Sequence, residues 1–93
     1  DTETGAKAQF YVGETLLAAG DARQALRAYL RVVSPLWSAY KDWAAAAQFE
    51  IGKCYLSLNQ PAEARGAFQT VLEKYGDTKW AQPAREQLAK MPG

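Results

Sequence analysis

The hydrophobic residues of the chain recur at helical spacing, and their pattern repeats after a shift of 39 positions. Residues 8–13 (Ala-Gln-Phe-Tyr-Val-Gly) superpose on residues 47–52 (Ala-Gln-Phe-Glu-Ile-Gly), and the agreement continues without a gap. Further apolar pairs in this register are Leu17 and Leu56, Ala25 and Ala64, Ala28 and Ala67, Tyr29 and Phe68, and Val32 and Val71. A fixed period of this length indicates stacked copies of one supersecondary unit.

The first copy, about residues 6–35, contains two helices. Apolar residues at i, i+3, i+4 and i+7 predict a helix over about residues 6–19. Gly20 can adopt the left-handed conformation that ends a helix, and Asp21 can cap the next one. Pro35 then stops this second helix, because proline disfavours helical geometry in the preceding residue.

The second copy, about residues 38–75, follows the same plan. Its first helix is predicted from about Ser38 to Leu58, and its turn at Asn59 or Gln60. Pro61 suits the first position of the next helix, at about residues 61–75, which Gly76 ends.

A fifth helix is predicted over about residues 78–91, capped by Asp77 or Thr78. Its apolar stripe comprises Trp80, Ala84, Leu88 and Met91. Pro83 would fall near the fifth position of this helix, where its missing N–H begins to matter. Either the helix kinks there, or it begins one turn later and Asp77 to Ala81 form a separate tight turn.

These residues resemble the tetratricopeptide repeat family, whose first helix carries Leu-Gly and then Tyr, and whose second carries Ala and an aromatic residue. The Leu-Gly pair is matched by Val12-Gly13 and by Ile51-Gly52. Tyr55 matches the tyrosine, and in the first copy Leu16 takes its place. Ala25 and Ala64 match the alanine, and Tyr29 and Phe68 the aromatic. The resemblance implies an all-α fold: two helical hairpins plus a C-terminal capping helix, in a right-handed α-solenoid. Residues 1–93 then form a single domain, which we expect to be a fragment of a longer protein.

The chain departs from the family pattern in its period, which is 39 residues where the usual repeat has 34. The excess falls around Ser34 to Trp43. The segment from Lys74 to Leu88 is similar to a phrase of the family's periplasmic branch, with Gly76 where that phrase has proline. That branch includes the accessory, cell-division-coordinating protein of the bacterial Tol-Pal system and the BAM-complex lipoprotein. This similarity implies the bacterial periplasm or an outer-membrane-associated location, although a cytoplasmic one stays open.

Composition and charge exclude several classes of function. With 48% hydrophobic residues, the chain can fill a core and is not disordered. Eleven basic and ten acidic residues give a net charge of +1, so we expect no nucleic-acid partner. Without a run of 18 apolar residues, we also expect no membrane insertion. Arg23, Arg27 and Arg31 form a helical stripe that is either a phosphate-binding strip or, as we favour, a solvated outer face.

The residues required for catalysis are largely missing. The chain has no histidine, the commonest general base and metal ligand, and its single cysteine, Cys54, lies among apolar residues that favour a core thiol. No glycine-rich phosphate-binding motif is present. We therefore expect no enzymatic activity, no cofactor and no metal.

The first helix of each hairpin lines the concave face in repeats of this family. The corresponding partner-binding candidates are Lys7, Phe10, Glu14, Leu17, Phe49, Lys53 and Leu56. Phe10, Phe49, Leu17 and Leu56 could instead simply pack between the hairpins, which we favour. The family's clamp for peptide carboxylates needs Lys or Arg and Asn, but the matching positions hold Phe10, Glu14, Phe49 and Lys53.

Trp37, Tyr40 and Trp43 are further binding candidates, because they lie too close together in the chain to all face inward. One of them could be an exposed anchor for a partner. Alternatively, they cover the seam between the hairpins.

The leading hypothesis is a scaffold that binds a protein or peptide, in the form of an extended segment or a partner helix. One alternative is that these are purely structural C-terminal repeats of a longer solenoid. The other is self-association into a homo-oligomer through the N-terminal helix face.

Overall fold

The computed structural model describes residues 2–92, which form five α-helices and contain no β-strand. They are α1 (Thr2–Ala18), α2 (Ala22–Val32), α3 (Lys41–Ser57), α4 (Pro61–Tyr75) and α5 (Ala81–Lys90). Each helix packs against its neighbours in the chain, and α1 also contacts α3. The hairpins α1–α2 and α3–α4 are therefore stacked, with α5 on α4. This arrangement confirms the predicted all-α fold of two hairpins followed by one helix.

The two hairpins use their equivalent residues in the same way. A Cβ atom on Gly13 would overlap the ring of Tyr29, and one on Gly52 would overlap the ring of Phe68. Both rings are completely buried. These glycines and rings, which lie 39 positions apart in the two copies, therefore occupy equivalent sites, as the internal repeat predicts.

A pair of glutamines reinforces this equivalence between the hairpins. The Gln9 side-chain amide donates a hydrogen bond to the Ala28 carbonyl at 3.2 Å, and Gln48 donates to the Ala67 carbonyl at 3.3 Å. Each bond joins the first helix of a hairpin to the backbone of its second helix.

The turns inside the hairpins are also equivalent. Gly20 has a φ of 85° and Asn59 a φ of 59°, so both adopt the left-handed conformation that lets the chain reverse. Asp21 caps α2, since its Oδ1 accepts a hydrogen bond from the Gln24 N–H at 3.1 Å. Pro61 is the first residue of α4. These predictions are confirmed.

The connection between the hairpins differs from the prediction. Helix α3 begins at Lys41, not at about Ser38, because residues 34–40 form turns. The Trp37 N–H donates to the Ser34 carbonyl at 3.1 Å, and the Tyr40 N–H donates to the Trp37 carbonyl at 3.0 Å. Trp37 and Tyr40 therefore lie in a connecting segment and not on a common helix with Trp43. At the other end of the first copy, α1 begins at Thr2, earlier than the predicted residue 6.

The fifth helix begins at Ala81 instead of at about residue 78. Of the two alternatives for Pro83, the later start is correct, and the chain turns between Gly76 and Trp80. Pro83 is then the third residue of α5, where its missing N–H removes no intrahelical hydrogen bond. Trp80 precedes this helix and does not belong to its apolar stripe.

The core consists of two adjoining clusters. Tyr29, Val32 and Cys54 belong to the first cluster, where α1, α2 and α3 meet, and all three are fully buried. The second cluster, which includes Phe68, lies between α3, α4 and α5. Trp80 packs against both clusters. The two repeats therefore share one continuous core.

Candidate partner-binding groove

A groove of about 580 Å³ lies between α1, α3 and the turn that precedes α5. We call it the α1–α3 groove. Its walls are therefore the first helices of both hairpins. The lining residues are Phe10, Tyr11 and Glu14 of α1; Asp42, Trp43, Ala46 and Glu50 of α3; and Asp77, Thr78, Lys79 and Trp80 of the turn.

Aromatic rings form the apolar part of the α1–α3 groove. The Trp43 ring packs against Phe10, with ring centroids 5.6 Å apart, and against Tyr11 at 6.0 Å. Trp80 packs against Phe49, the counterpart of Phe10, again at 5.6 Å. Tyr11 is 51% exposed, while Trp43 and Trp80 are half-buried. Trp43 and Trp80 are thus each packed on one side against a phenylalanine of a first helix and accessible on the other.

A short turn holds Trp80 in place. The Thr78 hydroxyl donates to the Tyr75 carbonyl at 2.7 Å and accepts from the Trp80 N–H at 3.3 Å. Lys41 Nζ lies 2.6 Å from Asp77 Oδ2 and joins this turn to the start of α3. The hydrogen bond from Lys41 lowers the pKa of Asp77. Because both side chains are largely exposed, this ion pair contributes little to stability.

The charges that line the α1–α3 groove are mostly negative. Four carboxylates, Glu14, Asp42, Glu50 and Asp77, face one ammonium group, that of Lys79. Lys41 and Lys53 lie outside the lining and pair with Asp77 and Glu50 respectively. No ion pair in residues 2–92 involves Glu14 or Asp42.

Glu50 is the only buried charged residue in the described part of the chain, with 6% of its surface exposed. Lys53 Nζ approaches Glu50 Oε1 at 3.2 Å as an ion pair, but this oxygen accepts no hydrogen bond of good geometry. Burial raises the pKa of Glu50 above its usual 4.5; the Lys53 charge opposes this rise and the Glu14 charge adds to it. A buried carboxylate oxygen without a well-aligned hydrogen bond lowers the stability of the fold.

Glu14 approaches Glu50 from α1 and is fixed by Tyr29. The Tyr29 hydroxyl donates a hydrogen bond to Glu14 Oε1. Burial raises the pKa of Tyr29, and the hydrogen bond to Glu14 raises it further. The phenol therefore stays protonated and remains a donor, which holds the Glu14 carboxylate at the groove.

The structure places only some of the sequence-predicted binding residues in the α1–α3 groove, namely Phe10, Glu14 and Trp43. The others lie outside its lining: Lys7, Leu17, Phe49, Lys53, Leu56, Trp37 and Tyr40. Phe10 and Leu17 pack in the first core cluster, where the hairpins meet, which agrees with the alternative that they pack between hairpins. Phe49 is buried in the second cluster, between α3, α4 and α5, and Leu56 is exposed, so neither follows that alternative. Binding by any of these residues stays a prediction.

The remaining predicted residues have identifiable surroundings. Trp37 packs over Gly5, and the Tyr40 hydroxyl is hydrogen-bonded to the Thr2 hydroxyl. Lys53 lies beside the groove, with Nζ 5.8 Å from the Phe49 ring centroid. Lys7 and Leu56 are exposed outside the groove.

Sequence reasoning missed several residues of the α1–α3 groove: Tyr11, Asp42, Glu50, Asp77, Lys79 and Trp80. One signal was available for Glu50. This acid stands between Phe49 and Ile51 on an apolar stripe, at the position that Tyr11 occupies in the first repeat. A charge at such a position indicates either an ion pair or a binding site.

Two observations concern metal binding and thiol reactivity in the described residues. No cluster of three or more His, Cys, Asp or Glu residues within 2–92 could hold a metal ion. Burial raises the pKa of Cys54 to about 11, so its thiol is protonated at neutral pH.

Among the five helices, none has the length and apolar character needed to cross a membrane.

Comparison with known proteins gives one match. Residues 46–78 match the family model of the tetratricopeptide repeat, a stretch that covers much of α3, all of α4 and the start of the next turn. Repeats of this family generally mediate protein–protein interactions and are typically not enzymes. The match does not confirm the resemblance to the periplasmic branch. Neither the curated proteins nor the solved structures gave a significant match.

Proposed function

We propose, from the tetratricopeptide repeat match and the α1–α3 groove, that this chain is a scaffold that binds a peptide or a partner helix. The observation that carries the proposal is the accessible aromatic surface of Tyr11, Trp43 and Trp80 inside a concave site. Concave sites with aromatic walls bind ligands, and partly exposed tyrosine and tryptophan contribute much of the binding energy at protein interfaces.

A peptide selection tests this proposal. Random 12-residue peptides are displayed and selected on the immobilised chain, and the affinity of the recovered peptides is measured by calorimetry. Tyr11→Ala should weaken binding about 10-fold or more, since it removes an accessible ring from the groove. Leu36→Ala is the matched control, because Leu36 is 66% exposed but lies outside the groove. An equal loss of peptide affinity in Tyr11→Ala and Leu36→Ala would contradict binding in the groove.

We also propose a location in the bacterial cell envelope, either periplasmic or associated with the outer membrane. This rests on the resemblance of the segment from Lys74 to Leu88 to the periplasmic branch of the family. The test is fractionation of cells that express the parent gene, with an antibody against this domain. Recovery in the envelope fractions supports the location, and recovery in the cytosol alone refutes it.

Self-association is a second candidate, favoured by the outer face of α1. Val12 is 47% exposed, whereas its counterpart Ile51 is 2% exposed within the cluster that α2 and α3 share. Helix α1 thus leaves open a face that α3 buries, and Ala8, Thr15 and Leu16 lie on the same face. Burial of this face by a second copy, or by a further repeat, would remove apolar surface from water.

Sedimentation velocity over a range of concentrations tests self-association. We expect Val12→Lys to abolish any concentration-dependent increase in mass, and Leu36→Lys to leave it unchanged. A wild-type chain that stays monomeric at every concentration contradicts this candidate.

A further inference from the structure

We propose that the α1–α3 groove selects a basic segment of its partner, with one lysine or arginine side chain bound by Glu14 and Glu50 against the rings of Trp43 and Trp80. This inference rests on the proposed function and specifies the chemistry of the partner.

Glu50 is the first reason for a cationic occupant. Its side chain is 8% exposed, and its Oε1 accepts no hydrogen bond of good geometry, although Lys53 Nζ lies 3.2 Å away as an ion pair. The Lys53 side chain is itself 43% exposed, so its ammonium group keeps much of its hydration. A partner cation that donates hydrogen bonds to Glu50 would satisfy a carboxylate that the chain alone leaves short of donors.

Glu14 is the second reason. This carboxylate lines the same groove from the neighbouring helix, and its charge already acts on Glu50. The Tyr29 hydroxyl donates a hydrogen bond to Oε1 of Glu14, and no ion pair in residues 2–92 neutralises the Glu14 carboxylate. Two carboxylates from different helices therefore converge on one site, where a single cation would relieve their mutual repulsion.

The aromatic rings suit the same occupant. Lys79 Nζ lies 5.5 Å from the Trp80 ring centroid, so the chain's own ammonium group already lies over this ring, and a partner cation there would replace it. Trp43 offers a second, half-buried indole in the same groove. Lysine and arginine bury their aliphatic stems against such surfaces while their charged ends bind carboxylates. An acidic segment would meet four carboxylates and only one lysine in the lining.

The test uses the peptides selected from the random 12-residue library. We expect them to be enriched in lysine or arginine, and their binding to weaken at high salt. Glu50→Gln and Glu14→Gln should each weaken binding about 10-fold or more, because each replaces a carboxylate by an uncharged amide of the same shape. Glu73→Gln is the matched control, since Glu73 is exposed on α4 outside the groove and should leave the affinity unchanged. Circular dichroism melting confirms that each variant is folded.

The site of binding is followed by NMR through the indole N–H signals of Trp43 and Trp80. Neutral or acidic peptides that shift these signals overturn the preference for a cation but leave the groove as a peptide site. The same holds for basic peptides whose affinity Glu50→Gln does not change. Peptides that shift neither indole signal overturn both this inference and the proposed function.

Discussion

At the residue scale, each hairpin has a close contact in which a glycine of one helix faces a ring of the next. Gly13 faces Tyr29 and Gly52 faces Phe68, each at a distance that leaves no room for a Cβ atom. Because the rings are fully buried, neither can move away without disturbing the core. These two contacts set how closely the helices of each hairpin approach.

We predict that Gly13→Ala and Gly52→Ala each lower the free energy of unfolding by about 1–3 kcal/mol, the usual cost of overpacking a core. Gly66→Ala is the control: Gly66 lies within α4, where an added Cβ atom would meet open space, so alanine should raise stability by about 0.5–1 kcal/mol through helix propensity. Urea unfolding followed by circular dichroism measures all three values. Equal effects at Gly52 and Gly66 would refute the steric explanation.

Glu50 gives a prediction about pH. Its pKa is higher in the folded protein than in the unfolded chain, so the folded state binds this proton more tightly. The stabilisation that comes from binding this proton is therefore fully present below about pH 4.5. It is lost as the pH rises through the raised pKa of Glu50. The groups that influence it are Glu14 on α1 and Lys53 on its own helix, while Tyr29 on α2 stays neutral.

We accordingly expect the stability of the wild type, relative to Glu50→Gln, to fall as the pH is raised from 4.5 to 7. Glutamine has no proton to release and removes this component of the pH dependence. Urea unfolding of both proteins at several pH values measures the difference. Parallel stability curves would show that Glu50 titrates normally in the folded protein.

At the element scale, the two hairpins share their turn geometry but not their caps. Gly20 and Asn59 are both left-handed, yet Asp21 caps α2 through its side chain, whereas Gln60 at the start of α4 makes no such hydrogen bond. The second hairpin therefore lacks one hydrogen bond that the first one makes.

Asp21→Ala should lower the free energy of unfolding by about 0.5–2 kcal/mol, because it leaves an N–H at the start of α2 without its partner. Gln60→Asp should raise stability by a similar amount by introducing the same cap at α4. Thermal and urea unfolding of the two single variants provide the test. A destabilising Gln60→Asp would mean that the second turn cannot orient a capping carboxylate.

The helix ends that could be predicted are those with a local chemical signal, such as Gly20, Asp21 and Pro61. The start of α3 has no such signal. Trp37 and Tyr40 are held in the connection by contacts with the beginning of α1, at Gly5 and Thr2 respectively. Contacts between residues so distant in the chain are invisible to local sequence patterns, which is why the pattern places the start of this helix too early.

At the scale of the whole molecule, Trp80 joins the cores of the two repeats. It packs against both clusters and is held by the turn that Thr78 shapes. We predict that Trp80→Ala lowers the free energy of unfolding by about 2–4 kcal/mol, near the lower part of the range for aromatic truncations because the ring is half-buried. Asp77→Asn, which removes the exposed pair with Lys41, should change stability little. Urea unfolding that ranks the two variants in the opposite order would contradict this account.

The α1–α3 groove was only partly predictable. The repeat correctly indicated that the first helices of both hairpins meet, but the residues that face the groove depend on how each helix is rotated about its axis. The predicted stripe included Phe10 and Glu14, which do line the groove, but it also included Lys7 and Lys53, which lie outside the lining, and it omitted Tyr11 and Glu50. Asp77 and Trp80 come from a turn whose position depends on α4 and α5 together.

Cys54 carries one more consequence. It is the single cysteine of the chain, completely buried in the cluster that α2 and α3 share, and its pKa is about 11. An alkylating reagent can reach this sulfur only when the helices around it move apart or the chain unfolds. The rate at which iodoacetamide modifies Cys54 therefore measures how often this part of the core opens, without an introduced probe.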